Sequence, residues 1–503
     1  MNYDNIKPIT NRIPANRQGA KRHYGVHPYF TRRPFNVVRE YIINYSNSGD
    51  TIIDPFGGSG VTAIEAFLEN RIGIQNDINP LANFIASGIV EITKVSTEDI
   101  IYLLKSIEIN CKKEINQLYS MDETKIDIDK YHVELPSNIK LPSNSDAERY
   151  FDLFTPSQLL SLAILKNEID KNENPSLRQI FLLAWSSTLA RINKTFISTK
   201  GRTETRGGSS IFSIYRYKVA KNIVKLNPWE CFYNRFHNIL RAQKEMLQTI
   251  ELKKAKEKWV GDFKVYKMDV EELSEIFYES ADYIFTDPPY GGHISYLDLS
   301  ILWNSWLGFM PSEKTYHEEI IVGGELKFSE QHYIRRLKSS IKASFDMLKN
   351  GRWLSIVFQH WNIEYFEAIL SAAEESNAEL KAAITQIGDT IWSMHKKKGK
   401  ESVLAGEFIL SFYKKTKIKS VKESIDINIK DIIINIVKNY NNKILYGEHL
   451  LNQIILKAWQ CGIINELKIK KEEINEILNE NGWNYDNKNH YWCKENKSMN
   501  LFY

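Results

Sequence analysis

A short strand that runs into a glycine-rich turn constrains the fold of this chain more than any other feature. Residues 51–54 read Thr-Ile-Ile-Asp, residues 55–60 read Pro-Phe-Gly-Gly-Ser-Gly, and Val61–Leu68 has helical spacing of apolar residues. Glycines let the backbone approach a ligand closely, and the amino end of a helix favours negative groups. A nucleotide-binding loop has the same outline, but no lysine follows the last glycine, which excludes a phosphate loop of the Walker type. The pattern predicts the first strand and helix of a doubly wound α/β sheet.

A second strand that ends in an acid follows at once. Residues 72–77 read Ile-Gly-Ile-Gln-Asn-Asp, and Asp77 lies 17 residues after Gly60. This spacing suits a carboxylate that binds the hydroxyl groups of a ribose.

The segment Thr286-Asp287-Pro288-Pro289-Tyr290 is the second motif, and it follows a short apolar run with a strand's composition at residues 282–285. Asp287 supplies a carboxylate acceptor, and Pro288 supplies a carbonyl without an N–H of its own. Tyr290 offers a flat face on which a base can stack. An ordinary strand-exit turn has a similar composition. Two fixed acceptors beside an aromatic ring nevertheless suit an exocyclic amino group that attacks an electrophile.

Together these segments resemble the S-adenosylmethionine-dependent DNA amino-methyltransferases, the adenine-N6 and cytosine-N4 methylases. Residues 54–60 are similar to the family's cofactor motif, Asp77 to its acidic strand end, and residues 287–290 to its catalytic motif. Residues 27–34 resemble a His-Pro…Lys-Pro segment that helps hold the methionine part of the cofactor, with two extra residues and arginine in place of lysine. The resemblance covers about residues 22–95 and 260–415.

The resemblance implies a Rossmann-like class I methyltransferase sheet, S-adenosylmethionine as cofactor and no covalent enzyme intermediate. Asp287 and the Pro288 carbonyl would accept hydrogen bonds from the amine of a flipped-out base that stacks on Tyr290. Adenine N6 is the expected target because aspartate leads the motif. Cytosine N4, an RNA guanine amine, protein glutamine and a catalytically silent DNA-binding subunit are the alternatives.

The resemblance also implies the individual site residues. The expected catalytic residues are Asp287, Pro288, Pro289 and Tyr290. The expected cofactor-binding residues are His27, Pro28, Arg33, Asp54, Pro55, Phe56, Gly57, Gly58, Gly60, Asp77 and Asp269. Asp269 follows a predicted strand at residues 263–268 and would accept from the adenine amine of the cofactor. A simple N-cap before the helix that begins at Val270 is the alternative for this aspartate.

The chain has 503 residues, too many for one core, and we expect four regions. Residues 1–95 form an N-terminal arm and the cofactor-binding half, and residues 256–415 form the catalytic half. Between them, residues 96–255 form a large, mostly helical insertion that is expected to recognise DNA. Residues 416–503 form a small C-terminal helical domain that suits a winged-helix module and would bind DNA or a partner protein.

Affinity for nucleic acid has to come from local patches, because the net charge of the chain is only +4. Residues 194–225 hold eight lysines or arginines and a single acid, with aromatic residues interleaved near the end. A solvated charged face is the alternative. A second basic cluster at residues 396–398 precedes the last predicted strand. The residues expected to contact double-stranded DNA are Lys200, Arg202, Arg206, Tyr215, Arg216, Lys218, Lys396, Lys397 and Lys398.

The cysteines and the apolar runs indicate the compartment. Cys111, Cys231, Cys461 and Cys493 are scattered without a C-x-x-C pair, which favours a reducing cytosol and argues against a zinc ribbon or another metal site. No signal-peptide core is present at the amino end, and no apolar run nears 18 residues. We therefore expect a cytoplasmic protein that works in restriction–modification or phage defence, with a restriction or defence protein as a further partner.

Overall fold

A computed structural model describes residues 3–16, 23–198, 207–292, 294–360, 362–386, 407–416, 428–440, 444–445, 447–461, 463, 471–486 and 491–494. The strands are β1 Thr51–Asp54, β2 Ile72–Asn76, β3 Phe196–Ser198, β4 Gly207–Ser209, β5 Asp262–Tyr266, β6 Ala281–Thr286, β7 Leu348–Phe358, β8 Ala378–Gln386, β9 Glu407–Lys414, β10 Ile444–Leu445, β11 Trp483–Asp486 and β12 Tyr491–Lys494. The α-helices are α1 Phe35–Tyr45, α2 Val61–Leu68, α3 Pro80–Glu91, α4 Thr97–Ser120, α5 Pro156–Asp170, α6 Pro175–Leu189, α7 Ser210–Ser213, α8 Pro228–Lys254, α9 Val270–Ile276, α10 Tyr296–Leu307, α11 Glu313–Glu318, α12 Glu330–Met347, α13 Ile363–Glu375, α14 Ile429–Asn439, α15 Gly447–Cys461 and α16 Lys471–Glu480.

Seven strands form the central sheet in the order β5-β2-β1-β6-β7-β9-β8. The first five run parallel, and β9 is antiparallel to both of its neighbours. The chain moves outward from β1 to β2 and β5 and then returns to β6 on the other side of β1. This reversal is the switch point of a doubly wound sheet, where ligands bind at the carboxyl ends of the strands. The predicted Rossmann-like α/β fold is confirmed.

Alternate residues of the central strands enter two different cores. In β1, Ile52 belongs to one core and Ile53 to the other, and in β6 Tyr283 and Ile284 divide in the same way. This alternation follows from the two-residue period of a strand, because both faces of the sheet are covered by helices. Every residue of β6 is buried, which explains its nearly continuous apolar run.

The first core joins the cofactor-binding half to the insertion, which comprises α4 to α8. Trp185 in α6 makes an edge contact with Trp306 in α10, with ring centroids 5.4 Å apart. The indole of Trp303 donates a hydrogen bond to the Ser186 carbonyl at 2.9 Å. The insertion is one continuous stretch of the sequence, and its helices share a core with the helices that cover the sheet. The division of the chain into four regions stays a prediction.

The C-terminal segment packs on the second core. Its elements follow the order helix, strand, helix, helix, strand, strand, and its small sheet has the order β10-β12-β11. This is the element order of a winged-helix module. Trp459 in α15 contacts Phe412 in β9 with ring centroids 6.2 Å apart, so the module rests against the end of the central sheet.

The sequence of residues 349–351, Lys-Asn-Gly, indicates the glycine-capped end of a helix before a strand at residues 353–358, and the structure differs at this boundary. Helix α12 ends at Met347, and β7 already begins at Leu348. Leu348 is fully buried and pairs with Ala281, so tertiary burial extends the strand toward its amino end. Gly351 has a φ of +73° and lies within this strand, where it allows a local change of direction.

Two features of the described residues bear on location and metal binding. No helix in this part of the chain is both long enough and apolar enough to cross a bilayer. Its histidines, cysteines and acids form no group of three or more that could hold a metal ion. All four cysteines are free thiols.

Candidate active site

The turns after β1 and β6 meet at the switch point of the central sheet. The Thr286 hydroxyl, at the end of β6, donates a hydrogen bond to Asp54 Oδ1 at 2.8 Å, and the backbone N–H of Phe56 donates to the same oxygen at 3.2 Å. Burial raises the pKa of the Asp54 carboxyl to about 7. The two motifs, more than 200 residues apart in sequence, thus share one carboxyl group.

The glycine turn depends on its glycines for conformation and for space. Gly58 and Gly60 have φ values of +51° and +87°, in the left-handed region. A Cβ atom at Gly60 would lie 2.5 Å from the Cβ of Ala86 in α3. Gly60 therefore allows α2 to start close to α3.

Asp77 fixes the same turn from the end of β2. Its Oδ2 accepts a hydrogen bond from the Gly58 N–H at 2.9 Å, and its Oδ1 accepts from the Asn79 N–H at 2.8 Å. Burial raises the pKa of Asp77 to about 6. Asp77 therefore orders the turn, and the ribose contact expected of it stays a prediction.

A cavity of about 950 Å³, its open mouth included, lies between the two turns. Glycine backbone, several acids and apolar side chains line it, a combination that fits a molecule with a purine, a ribose and a cationic end. The residues predicted from sequence that line the cavity are Arg33, Asp54, Pro55, Phe56, Gly57, Gly58, Asp77, Asp269, Asp287 and Pro289. The predicted residues His27, Pro28, Gly60, Pro288 and Tyr290 are not part of the lining.

The turn of residues 287–290 after β6, called the catalytic turn below after its predicted role, is held by Arg33, which the sequence assigned to the cofactor. Arg33 Nε donates to Asp287 Oδ2 at 2.5 Å, and its Nη2 donates to the Tyr290 hydroxyl at 2.9 Å. The Tyr290 hydroxyl in turn donates to Asp287 Oδ1. Arg33, Asp287 and Tyr290 therefore form a closed triangle in which both carboxylate oxygens accept hydrogen bonds.

The two proline carbonyls of the catalytic turn differ. The Pro289 carbonyl accepts a hydrogen bond from the Tyr333 hydroxyl at 2.5 Å. Among the described residues, no donor reaches the Pro288 carbonyl. The Pro288 carbonyl, which the sequence analysis assigned to the target amine, thus accepts no hydrogen bond from the described part of the chain.

Asp269 serves as the N-cap of α9, the alternative considered for it from sequence. Its Oδ1 accepts from the Glu271 N–H at 2.9 Å, and its Oδ2 forms an ion pair with Arg336. The side chain nonetheless lines the cavity, and contact with the adenine of the cofactor stays a prediction.

The segment that contains His27 is fastened to the glycine turn by Arg32, a residue that sequence reasoning missed. Arg32 donates to the Ser59 hydroxyl at 2.8 Å and to the carbonyls of Tyr24 and His27, each at 2.6 Å. His27 is buried, its Nδ1 donates to the Pro28 carbonyl at 2.6 Å, and burial lowers its pKa to about 3. His27 is therefore a neutral residue of the core beside the site.

Further residues that line the cavity were not assigned from the sequence. Tyr29 and Tyr296 stack with centroids 6.5 Å apart, and Glu319 adds an acid after α11. Tyr29 belongs to the segment 27–34 and Tyr296 begins α10, whereas no local pattern marks Glu319.

The predicted DNA contacts are described only in part. Arg216 and Lys218 are exposed, Tyr215 is half-buried, and Arg216 forms an ion pair with Asp146. Tyr217 is buried, and its hydroxyl donates to backbone carbonyls of α10, so it is not the exposed aromatic residue that the alternating pattern indicated. Lys200, Arg202, Arg206, Lys396, Lys397 and Lys398 lie outside the described residues.

Comparison with known proteins gives a family match and several relatives. The profile of the N6/N4 methyltransferase family, described as DNA methylase, matches residues 5–86. Type II methyltransferase M.MvaI from Kocuria varians is 24% identical over 286 residues, 54% of this chain and 55% of that protein. Type II methyltransferase M.MjaII from Methanocaldococcus jannaschii is 26% identical over 331 residues, 56% of this chain and 62% of that protein.

A shorter match has higher identity. Type II methyltransferase M2.MboI from Moraxella bovis is 33% identical over 88 residues, 16% of this chain and 31% of that protein. The chain thus spans less than two thirds of the length of these curated relatives. Residues 5–86 thus match the N6/N4-type DNA methylase family, and the two motifs that resemble this family meet at one switch point; S-adenosylmethionine is the cofactor that the match supports.

Proposed function

We propose that this protein is a site-specific DNA methyltransferase that methylates the N6 amine of a flipped-out adenine. The observation that carries the proposal is the position of Asp287, at the carboxyl end of β6 and in the wall of the cavity that the glycine turn also lines. A cofactor in this cavity and a base beside Asp287 would meet at the switch point, where doubly wound sheets bind their ligands.

In this proposal, one group of residues binds the cofactor and another binds the target base. The glycine turn, Asp77 and Asp269 bind the cofactor, and bound S-adenosylmethionine supplies an electrophilic methyl group on its sulfonium. Asp287 and the Pro288 carbonyl accept hydrogen bonds from the target amine, which localises its lone pair and directs it into the cavity. Tyr290 stacks against the flipped base.

Entry of the base requires a rearrangement of the catalytic turn. Both oxygens of Asp287 accept hydrogen bonds from Arg33 and Tyr290. A target amine therefore has to replace one of these two donors. Because Arg33 also approaches the Tyr290 ring, with its guanidinium carbon 5.7 Å from the centroid, movement of Arg33 would free an acceptor and one face of the ring together.

DNA contact is proposed for the exposed basic residues of the insertion, Arg216 and Lys218 among the described ones. Helix α16, the third helix of the C-terminal module, suits DNA less well. It carries Lys471 but also Glu472, Glu473, Glu476 and Glu480, and acids repel the phosphate backbone. Because the relatives are named type II methyltransferases, we place the protein in a restriction–modification setting, with a defence nuclease as the proposed partner.

The test is mass spectrometry of nucleosides from the DNA of a bacterial host that lacks its own base methylases. We expect N6-methyladenine with the wild-type chain and none with Asp287→Ala, which should still bind the cofactor in calorimetry. N4-methylcytosine would retain the mechanism and change the base. Transfer of a radiolabelled methyl group to RNA or protein, with unmodified DNA, would overturn the proposal.

A further inference from the structure

A buried acid without an ion-pair partner lies in the cavity wall, outside both sequence motifs. Glu319 directly follows α11, lines the cavity beside Ile320, and is only 7% exposed. Its Oε1 accepts a hydrogen bond from the Leu297 N–H at 3.2 Å. The ion pairs found around α11 in the described part of the chain join Lys314 to Glu272 and to Glu318, and none includes Glu319.

The other acids of the cavity already accept hydrogen bonds or form ion pairs with cations. Asp77 accepts from two backbone N–H groups, and Asp54 accepts from Thr286 and Phe56. The remaining three are paired with cations: Asp269 with Arg336, Asp287 with Arg33, and Glu318 with Lys314. Glu319 therefore faces the cavity without a cation, and its hydrogen bonds come from backbone N–H groups at the start of α10.

Burying a carboxylate in this way is unfavourable for its charged form. Burial, and to a smaller extent the negative charge of Asp298, raise the pKa of Glu319 to about 8. The backbone N–H groups of Leu297 and Tyr296 act in the opposite direction but do not offset burial. A cation that entered the cavity would favour the charged form and gain a desolvated partner.

We propose that Glu319 binds the positively charged methionine end of the cofactor, through its sulfonium or its ammonium group. The inference rests on the proposed function, because the cation is that of S-adenosylmethionine. The two arginines of the cavity are held by Ser59 and backbone carbonyls in one case and by Asp287 and Tyr290 in the other, so neither neutralises Glu319. The entering ligand brings the cation that this carboxylate lacks.

Calorimetry on the full chain with S-adenosylmethionine and S-adenosylhomocysteine tests the proposal. Glu319→Gln keeps the size of the side chain and the acceptor for the Leu297 N–H but cannot become charged. We expect it to weaken binding of S-adenosylmethionine by about tenfold or more. Glu318→Gln is the matched control: it lines the same cavity, is paired with Lys314, and should change affinity less than about twofold.

Comparison of the two ligands shows whether Glu319 contacts the sulfonium or the ammonium group of the cofactor. S-adenosylhomocysteine keeps the ammonium group but lacks the sulfonium charge, so a loss confined to S-adenosylmethionine assigns Glu319 to the sulfonium. An equal loss for both ligands assigns it to the ammonium group.

Unchanged affinity for both ligands in Glu319→Gln, or a loss no larger than in Glu318→Gln, would overturn the inference. A wild-type chain that binds neither ligand would overturn the proposed function itself. Thermal unfolding of both variants checks that the fold is retained.

Discussion

The turns after β1 and β6 lie side by side and are held in opposite ways. Around the glycine turn after β1, carboxylates accept hydrogen bonds from backbone N–H groups: Asp77 from Gly58 and Asn79, and Asp54 from Phe56. Such bonds fix the main chain itself. Around the catalytic turn, the bonds to Asp287 come from two side chains, those of Arg33 and Tyr290, and Arg33 belongs to a distant segment.

This difference indicates which half of the site is preformed. A backbone turn that is anchored through its own N–H groups cannot change without refolding. A cluster of side chains can change rotamers and exchange one donor for another. We therefore expect the cofactor half to be ready before binding and the base half to open only when a base enters.

The sharpest test of this contrast is Asp287→Ala. Removal of the acceptor should lower methyl transfer by about a thousandfold, because the amine loses the group that localises its lone pair. Cofactor affinity should stay within about threefold of wild type, since the β1 turn is not anchored by this residue. Both are measured with radiolabelled cofactor and calorimetry. Substantial turnover in the variant would contradict the assignment.

On the other turn, Asp77→Ala should act on affinity. The Gly58 and Asn79 N–H groups lose their acceptor, and we expect the cofactor dissociation constant to rise by about a hundredfold. Asp77→Asn keeps one acceptor oxygen and should be affected less. Normal cofactor affinity together with reduced turnover would mean that this turn is not the preformed half.

Arg33 contacts Asp287 and Tyr290 in the structure, whereas the resemblance assigned it to the cofactor, and its substitution tests which role is correct. Arg33→Ala should lower kcat by about tenfold, because Asp287 and Tyr290 lose the group that orients them, with little change in cofactor affinity. Arg32→Ala is the matched comparison and should lower the melting temperature, because Arg32 holds Ser59 and two backbone carbonyls. A rise in the cofactor dissociation constant of Arg33→Ala would restore the expectation drawn from the resemblance.

The smallest expected effect concerns Asp54, which joins the two turns. Burial raises its pKa from 3.8 to about 7 in the folded chain, so the unfolded chain ionises first as the pH rises. Stability should therefore fall between about pH 4 and 7 and level off above that range. The advantage of Asp54→Asn in free energy of unfolding should grow over this window, by up to about 1.4 kcal/mol per pH unit. Urea denaturation at pH 5 and pH 8 measures it, and an equal difference at both pH values would contradict the prediction.

The sequence predicted the parts of the site that depend on local patterns. The glycine turn, the acidic strand ends and the proline turn are each written within a few residues, and the sheet order follows from where they lie. It did not predict the contact between Arg33 and Asp287, because the two are 254 residues apart. Tyr217 is one of the aromatic residues interleaved with basic ones that indicated a nucleic-acid surface, whereas its hydroxyl is buried against the backbone of α10. Glu319 carries no local signal at all.

The shared core beneath the insertion limits how DNA specificity could be exchanged between relatives. Trp185 and Ser186 in α6 contact α10, which begins only nine residues after Asp287. A chimera that replaced residues 96–255 would bring a foreign surface against this helix and shift the wall of the active site with it. New recognition sites would therefore arise more readily by changes at exposed residues such as Arg216 and Lys218 than by exchange of the whole insertion.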